Sequence, residues 1–539
     1  MLDLAFRPDR RLSQPVYAQL AELLRAWIEA GRLAPGEKLP ATRDLARGLG
    51  LARNTVTQAY VTLGELGFVT SHVGQGTFVA AGGSAGASSA AQGFARSKRR
   101  SAPAIASLPM EPARAFAWSG LFSLRARDLP LPAALRRERP GRAFAFDFRG
   151  GQVDAGSFPA RELARAAVRA VRAHGPALTT APEPFGLPAL RERVARGLVA
   201  RGIACGSEDV AIVAGAQQAL DLVARVLIDP GDTVAIEQPG YFGAALAFGA
   251  SGANLVGVGV DEQGLRTDEL ARLLRARRVK LVYATPAVQS PTGVALVDDR
   301  RRALLELADR HQTPVVEDDY DCELRLGSAT APALKTGDRA GQVIYVGTFS
   351  KALFPGLRVG YLVAARPLLE RVALAHLASD FEASRFAQVV LLELLASGAF
   401  ERHVRRVRRL YAERLGALRT ALAGALPAGA AVTEPAGGSS VWVKLPTGTD
   451  ADAVFAAACD AGVAFTRGDA FSIDGAFGDC LTLSFANLTP ERIAEGIAIL
   501  GRIVAARVTQ AAPATSRRRA AKEGGAWTVG RSSSGSRRS

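Results

Sequence analysis

Lys351 stands in the stretch VGTFSKALFPGLRVGY, residues 346–361, directly after Ser350 and seven positions before Arg358. An amine held neutral and in place condenses with an aldehyde, so such a lysine can carry an aldehyde cofactor as a Schiff base. Thirty-three residues upstream, VVEDDYD closes an apolar run and supplies Asp318 and Tyr320. Side chains two apart on an extended segment share one face. Asp318 is therefore the candidate partner for a pyridine nitrogen, keeping the ring an electron sink, and Tyr320 the candidate donor to its phenolate oxygen. A phosphate group needs cations and N–H donors. Arg358 offers a bidentate contact. AGAQQALDLVARVL puts Gly215, Ala216 and Gln217 at a helix N-terminus, where unpaired N–H groups and the helix dipole favour an anion. Tyr241, in EQPGYFG, is a candidate for packing on the ring face. Together these parts specify pyridoxal 5'-phosphate. A lone Ser-Lys or Asp-x-Tyr is common, so the signal lies in the spacing of acid, lysine and arginine.

The segments around these residues must hold them. From about residue 145, short β-branched runs (VAIV, TVAI, KLVYA, TPVVEDD, QVIYVGT) alternate with Ala/Leu/Arg-rich helical stretches. That alternation predicts an α/β domain with a mostly parallel sheet covered by helices on both faces. The chain has 539 residues and a net charge of +16. The excess sits outside the α/β domain: residues 81–143 carry eleven Lys/Arg against three Asp/Glu, and residues 509–539 carry seven against one. Residues 81–143 (GGSAGASSAAQG, then SKRRS) are expected to be a flexible basic linker, and residues 509–539 a disordered basic tail. Basic arms of this kind suit nucleic acid, or serve only solubility. The four cysteines form no C-x-x-C pair, the five histidines show no metal-ligand spacing, and no metal site is expected. With no signal-peptide or membrane-length apolar run, the expectation is a soluble, cytoplasmic protein.

Residues 12–80 are patterned differently. QPVYAQLAELLRAWIEAG has helical apolar spacing. LAPGEKLPATRDLARGLG and LARNTVTQAYVTLGELG give two further helices, and FVTSHVGQGTFVA gives two strands around a tip that Gly74 and Gly76 permit. A recognition helix presents its N-terminal polar residues to base edges. Arg53, Asn54, Thr55, Thr57 and Gln58 have the chemistry for phosphate and base contacts. LPATRDLARGLGLARNTVTQAYVTLGELGFV…GQGTFV resembles the winged helix-turn-helix of the GntR regulators. The resemblance implies double-stranded DNA as partner, with Arg43 and the Arg-x-Thr of Arg53–Thr55 on it. Ala52 departs from it, since a serine is common there.

Residues 144–508 resemble a fold-type I, aspartate-aminotransferase-like domain. With the N-terminal module, the chain is similar to the MocR subfamily of GntR regulators; HVRRVRRLYAERL from His403, the GAQQALDL run and Pro291-Thr292-Gly293 carry that likeness. It implies that Lys351 holds the cofactor, Asp318 its ring nitrogen, Tyr320 its phenolate and Arg358 its phosphate. Ser350, Ala216, Gln217, Tyr241 and Ser290 complete the implied cofactor set, and a head-to-tail homodimer is implied. Three departures matter. Thr482 in LTLSFANL stands where members that use amino acids carry a carboxylate-binding arginine. AVQSPTG puts Val288 and Ser290 where the family often has Ser-His-Gln and an aromatic. TTAPEPFG offers Thr180 and Ala181 where many relatives place a tyrosine that reaches the partner's phosphate. Losing a bidentate arginine removes about 1.5–3 kcal/mol of charged hydrogen bonding. Ordinary α-amino-acid transamination is therefore not expected unless another arginine, such as Arg385 or Arg467, substitutes. The expected function is a transcriptional regulator that senses pyridoxal phosphate, an amine or an amino acid. The alternatives are a working aminotransferase with an appended DNA-binding domain, and a scaffold with no cofactor.

Overall fold

The computed structural model describes residues 15–65, 68–72, 76–80, 143–326 and 331–508, with Phe6, Pro8 and Ser123. Apart from Ser123 and Ala143, the expected linker and the whole expected tail lie outside the described residues, as does Gly74. The chain divides into two units, within residues 1–116 and 117–539.

In the first unit, α1 (Val16–Glu29), α2 (Thr42–Leu49) and α3 (Arg53–Glu65) precede β1 (Val69–His72) and β2 (Gly76–Val79). Leu20, Leu24 and Ile28 recur at helical spacing along α1 and share one core with Leu45 of α2, Val56, Ala59, Tyr60 and Leu63 of α3, and Val69 and Val79 of the strands. Gly50 turns the chain between α2 and α3 in a left-handed conformation, φ +63°. The Tyr60 hydroxyl donates to the Pro40 carbonyl at 2.9 Å. β2 pairs antiparallel with β1, and its other edge bonds to residues 37–39 through Val79 N–H to Glu37 and Leu39 N–H to Thr77, both 2.8 Å.

The second unit opens with β3 (Phe146–Asp147). Its main sheet consists of β4 (Val210–Val213), β5 (Thr233–Gln238), β6 (Asn254–Asp261), β7 (Gly264–Leu265), β8 (Leu281–Ala284), β9 (Val315–Asp319), β10 (Val343–Thr348) and β11 (Gly360–Val363). The strand order is β4-β11-β10-β9-β8-β5-β6-β7. β6, β5, β8, β9 and β10 run parallel; β11 is antiparallel to both neighbours. Every residue of β4, β8, β9, β10 and β11 is buried, because helices cover both faces. The pleat divides β10 between cores: Tyr345 packs on one side, Ile344 and Val346 on the other. A smaller antiparallel sheet orders β12 (Ala431–Val432), β13 (Ser440–Lys444), β16 (Cys480–Ser484) and β15 (Thr466–Arg467), while β14 (Val463–Ala464) pairs with β3. Helices α5 (Ala399–Ala425) and α6 (Pro490–Val508) share its core through Tyr411, Leu418, Leu483, Phe485 and Ile497.

In an open parallel sheet the carboxyl ends of the strands share one edge, where ligands bind. Gly215 and the helix α4 (Ala216–Leu227) follow β4, Tyr241 follows β5, Ser290 lies in the segment after β8, Tyr320 directly follows β9, and Lys351 comes shortly after β10. No disulfide joins the four cysteines. Among the described residues no helix is long and apolar enough to cross a membrane, and no cluster of three His, Cys, Asp or Glu is placed to hold a metal.

Candidate cofactor site and nucleic-acid interface

At that edge lies a cavity of about 480 Å³, lined by Tyr241, Ser290, Tyr320 and Lys351 among the expected residues. Asp318, at the end of β9, is 3% exposed and is not on the cavity wall. The Tyr283 hydroxyl donates to its Oδ2 at 2.9 Å, and its Oδ1 is buried with no hydrogen-bond partner. Burial pushes this carboxyl up to about 7; the Tyr283 hydrogen bond and the Lys351 ammonium oppose the rise, and Asp319 and Asp321 add to it. Tyr320 falls just past the strand, in the turn that follows. Its phenol is pushed up by burial and is hydrogen-bonded by the Ser290 side chain. Ser350 Oγ is likewise buried without a partner.

Ala216, Gln217 and Arg358 lie to one side rather than on the cavity wall. Gly215, at φ +96°, caps α4, whose first N–H groups have no intrahelical acceptor. The Arg358 guanidinium lies over this turn: a Cβ on Gly215 would sit 3.2 Å from Arg358 Nη1. Arg358 is exposed and forms no ion pair among the described residues. The Gln217 side chain donates to the Gly243 carbonyl at 2.8 Å and accepts from the Tyr241 hydroxyl at 3.2 Å, fixing the tyrosine that lines the cavity.

These residues fit pyridoxal phosphate. Asp318 offers an unpartnered buried carboxylate oxygen for a ring nitrogen, a phenol stands two residues on, a lysine lines the cavity, and a helix N-terminus beside an unpaired arginine suits the phosphate.

Support comes from residues to which the sequence assigned no role at the site. Buried Glu237 accepts from Thr285 Oγ1 at 2.6 Å, Thr285 N–H at 3.1 Å and Gln289 Nε2 at 3.1 Å, and burial pushes it up to about 7. His403 of α5 has Nε2 2.8 Å from the Ala352 carbonyl, beside Lys351, while Arg406 lies 3.1 Å from Nδ1. Burial lowers the His403 pKa, so the neutral ring donates from Nε2 and accepts at Nδ1. The cavity wall also includes Arg149, Gln152, Asp321, Thr466 and Thr482. Only Thr482 stood out in the sequence. Asp321 was visible as the last letter of VVEDDYD, but nothing marked it as facing the cavity.

The two candidate substitute arginines are committed elsewhere. Arg385 bonds Glu382 at 2.7 Å through two nitrogens, the Ala177 carbonyl at 3.1 Å, the Ala181 carbonyl at 2.9 Å and the Thr180 hydroxyl. Arg467 pairs with Asp469 at 2.9 Å and with Asp452. Neither lines the cavity, whereas Arg149 does, paired with Asp147 through bonds of 2.9 and 2.7 Å.

On the first unit, Arg53, Asn54, Thr57 and Gln58 are exposed along one side of α3, opposite Val56, Ala59 and Tyr60. Thr55 is half-buried, and Arg43 is exposed on α2. The Thr57 hydroxyl donates to the Arg53 carbonyl at 3.0 Å, so its proton is used within the helix and its oxygen remains as an acceptor. Exposed Gly76 lies under Lys38, where a Cβ would approach Lys38 Cε to 2.7 Å.

Residues 150–500 match the family described as aminotransferase class I and II, and residues 16–79 the bacterial regulatory proteins of the gntR family. Similar proteins include the probable rhizopine catabolism regulatory protein MocR of Rhizobium meliloti, 35% identical over 75% of this chain and 77% of that protein. The HTH-type transcriptional regulator TauR of Rhodobacter capsulatus is 33% identical over 90% of this chain and 95% of its own. Among solved structures, LysN, the α-aminoadipate aminotransferase of Thermus thermophilus complexed with N-(5'-phosphopyridoxyl)-L-leucine, gives a TM-score of 0.68 at 35% identity, covering 73% of this chain and 100% of that one.

Proposed function

The chain belongs to the MocR subfamily of GntR-family regulators, and from that premise we propose that it is a cytoplasmic, DNA-binding transcriptional regulator whose aminotransferase-like domain binds pyridoxal 5'-phosphate and senses an effector there. The observation that supports the sensing role is that Lys351, Tyr320, Tyr241 and Ser290 share one cavity wall with Thr482, a residue that the family resemblance puts where members that use amino acids carry an anchoring arginine. When bound, the cofactor supplies an aldehyde carbon that amines recognise and a ring that withdraws electrons. Lys351 provides the anchoring nitrogen. Asp318 would keep the ring nitrogen protonated, Tyr320 and Ser290 would donate to the phenolate oxygen, and Tyr241 would pack against the ring. Ser350, Arg358 and the N–H groups of Ala216 and Gln217 hold the phosphate.

On the DNA side, Arg43 and Arg53 neutralise phosphates, Asn54, Thr55, Thr57 and Gln58 read base edges, and Gly76 brings the wing backbone close. The protein acts as a head-to-tail homodimer; exposed Phe381, Phe386 and Leu374 supply apolar area for that contact. Effector binding shifts DNA affinity through its differential affinity for two states of the dimer. A residual transaminase activity is the second reading, favoured by the presence of all four candidate cofactor residue types.

The test is the absorption spectrum of full-length protein with added pyridoxal phosphate, beside Lys351→Ala. A near-visible band present only in the wild type, with cofactor-dependent DNA binding, is expected. Absence of the band would leave the domain a dimerisation scaffold. Steady turnover of an amino donor would establish the enzyme.

A further inference from the structure

We propose that Asp321 makes this cavity selective for cationic effectors: the class it takes is a diamine, a primary alkylamine whose second, distant ammonium group docks on the Asp321 carboxylate. The inference rests on the cofactor site proposed above and specifies its ligand.

Asp321 lines the cavity together with Lys351, yet it is 3% exposed and its Oδ1 is buried without a hydrogen-bond partner. A buried carboxylate oxygen with no donor is costly, and that cost falls when a ligand brings the missing donor. Asp321 forms no ion pair among the described residues. The cation that balances it at longer range is Lys351, which opposes the upward push of burial and of Asp319 and leaves the carboxyl at about 6. Once the Lys351 nitrogen is committed to the cofactor, its ammonium no longer fills that role.

The rest of the wall does not favour an anion. Arg149 is held in two hydrogen bonds by Asp147, Thr482 is neutral, and Arg385 and Arg467 are outside the cavity. A ligand carboxylate entering here meets the field of Asp321, whereas an ammonium group gains a charge-assisted hydrogen bond.

The experiment uses full-length protein saturated with pyridoxal phosphate and three ligands of matched length: 1,4-diaminobutane, butylamine and 4-aminobutanoate. Each is titrated against the cofactor absorbance of the wild type and of Asp321→Asn. The wild type is expected to half-saturate at the lowest concentration with the diamine. Asp321→Asn is expected to raise that concentration roughly tenfold, as for one charged hydrogen bond, and to leave butylamine within about twofold. A wild-type preference for 4-aminobutanoate would overturn the proposal and give the selection to Arg149. An unchanged ligand order in Asp321→Asn, or no response to any of the three, would overturn it too. The wild-type order is informative even if the variant fails to fold. A missing cofactor band in the wild type sinks the cofactor site itself; a normal band with the wrong ligand order sinks only the selectivity.

Discussion

The site's chemistry rests on carboxylates buried without full partners. Asp318 is held at about 7 with one oxygen unpaired, a mismatch that a protonated pyridine nitrogen would relieve. Asp318→Asn is expected to weaken pyridoxal phosphate binding ten- to a hundredfold, about 1.5–3 kcal/mol, while keeping a Lys351-dependent band. Equal affinity in wild type and variant would remove Asp318 from the site. Asp318 and Asp321, together with Glu237 and Glu317, two buried acids that are hydrogen-bonded, set a pH dependence. Asp318, Glu237 and Glu317 sit near 7, and Asp321 near 6, against about 4 in an unfolded chain. Between those values the folded state holds protons that the unfolded state has released. Their contribution to stability therefore falls as pH rises through that window, and is level above it. The thermal midpoint of cofactor-free protein should drop from pH 5 to 7.5, and saturating cofactor should flatten the slope by favouring ionised Asp318. A midpoint that climbs over that interval would contradict this assignment. The acid, lysine and arginine were legible in the sequence because their spacing is set by strand ends; Asp321 and Arg149 were not, because nothing local marks which way they face.

At the scale of elements, the turn from β4 into α4 and the exposed side of α3 carry the sharpest expectations. Gly215 combines a left-handed φ with the guanidinium of Arg358 over its Cα. Gly215→Ala should cost about 1–3 kcal/mol of stability and displace Arg358, lowering cofactor affinity as read by the same titration. An alanine variant with unchanged melting and affinity would show that the turn tolerates a side chain. On α3, Arg53→Ala is expected to lower the salt slope of DNA binding by about one, and Gln58→Ala to relax preference at one base position at a cost of about 1–3 kcal/mol. A slope unaltered in the first variant, or an unaltered preference in the second, would place that side chain off the DNA. The helices and the parallel strands were readable as periodic apolar runs. The small antiparallel sheet was less so: β12 and β15 are two residues each, too short for a period, and they form only because β13 and β16 give them a partner.

At the scale of the whole molecule, the central charge pattern is a near-neutral α/β domain flanked by basic segments. If residues 98–100 and 517–519 touch DNA, removing either should reduce the salt slope without changing sequence preference; an unaltered slope would assign them to solubility. A mass measurement in solution is expected to give a dimer, and Phe381→Glu with Phe386→Glu to give monomers that retain the Lys351-dependent band. A doubly substituted protein that stays dimeric would move the interface elsewhere. The sequence by itself determined the two modules and the four candidate cofactor residue types, because strand and helix periods and the offsets between strand ends are local, linear quantities. The tertiary structure alone decided what lines the cavity. It gave Arg385 and Arg467 to nearby carboxylates and brought Arg149, Asp321 and Thr482 from three separate segments to one wall. Which charges are spent and which stay available depends on contacts between residues far apart in the chain.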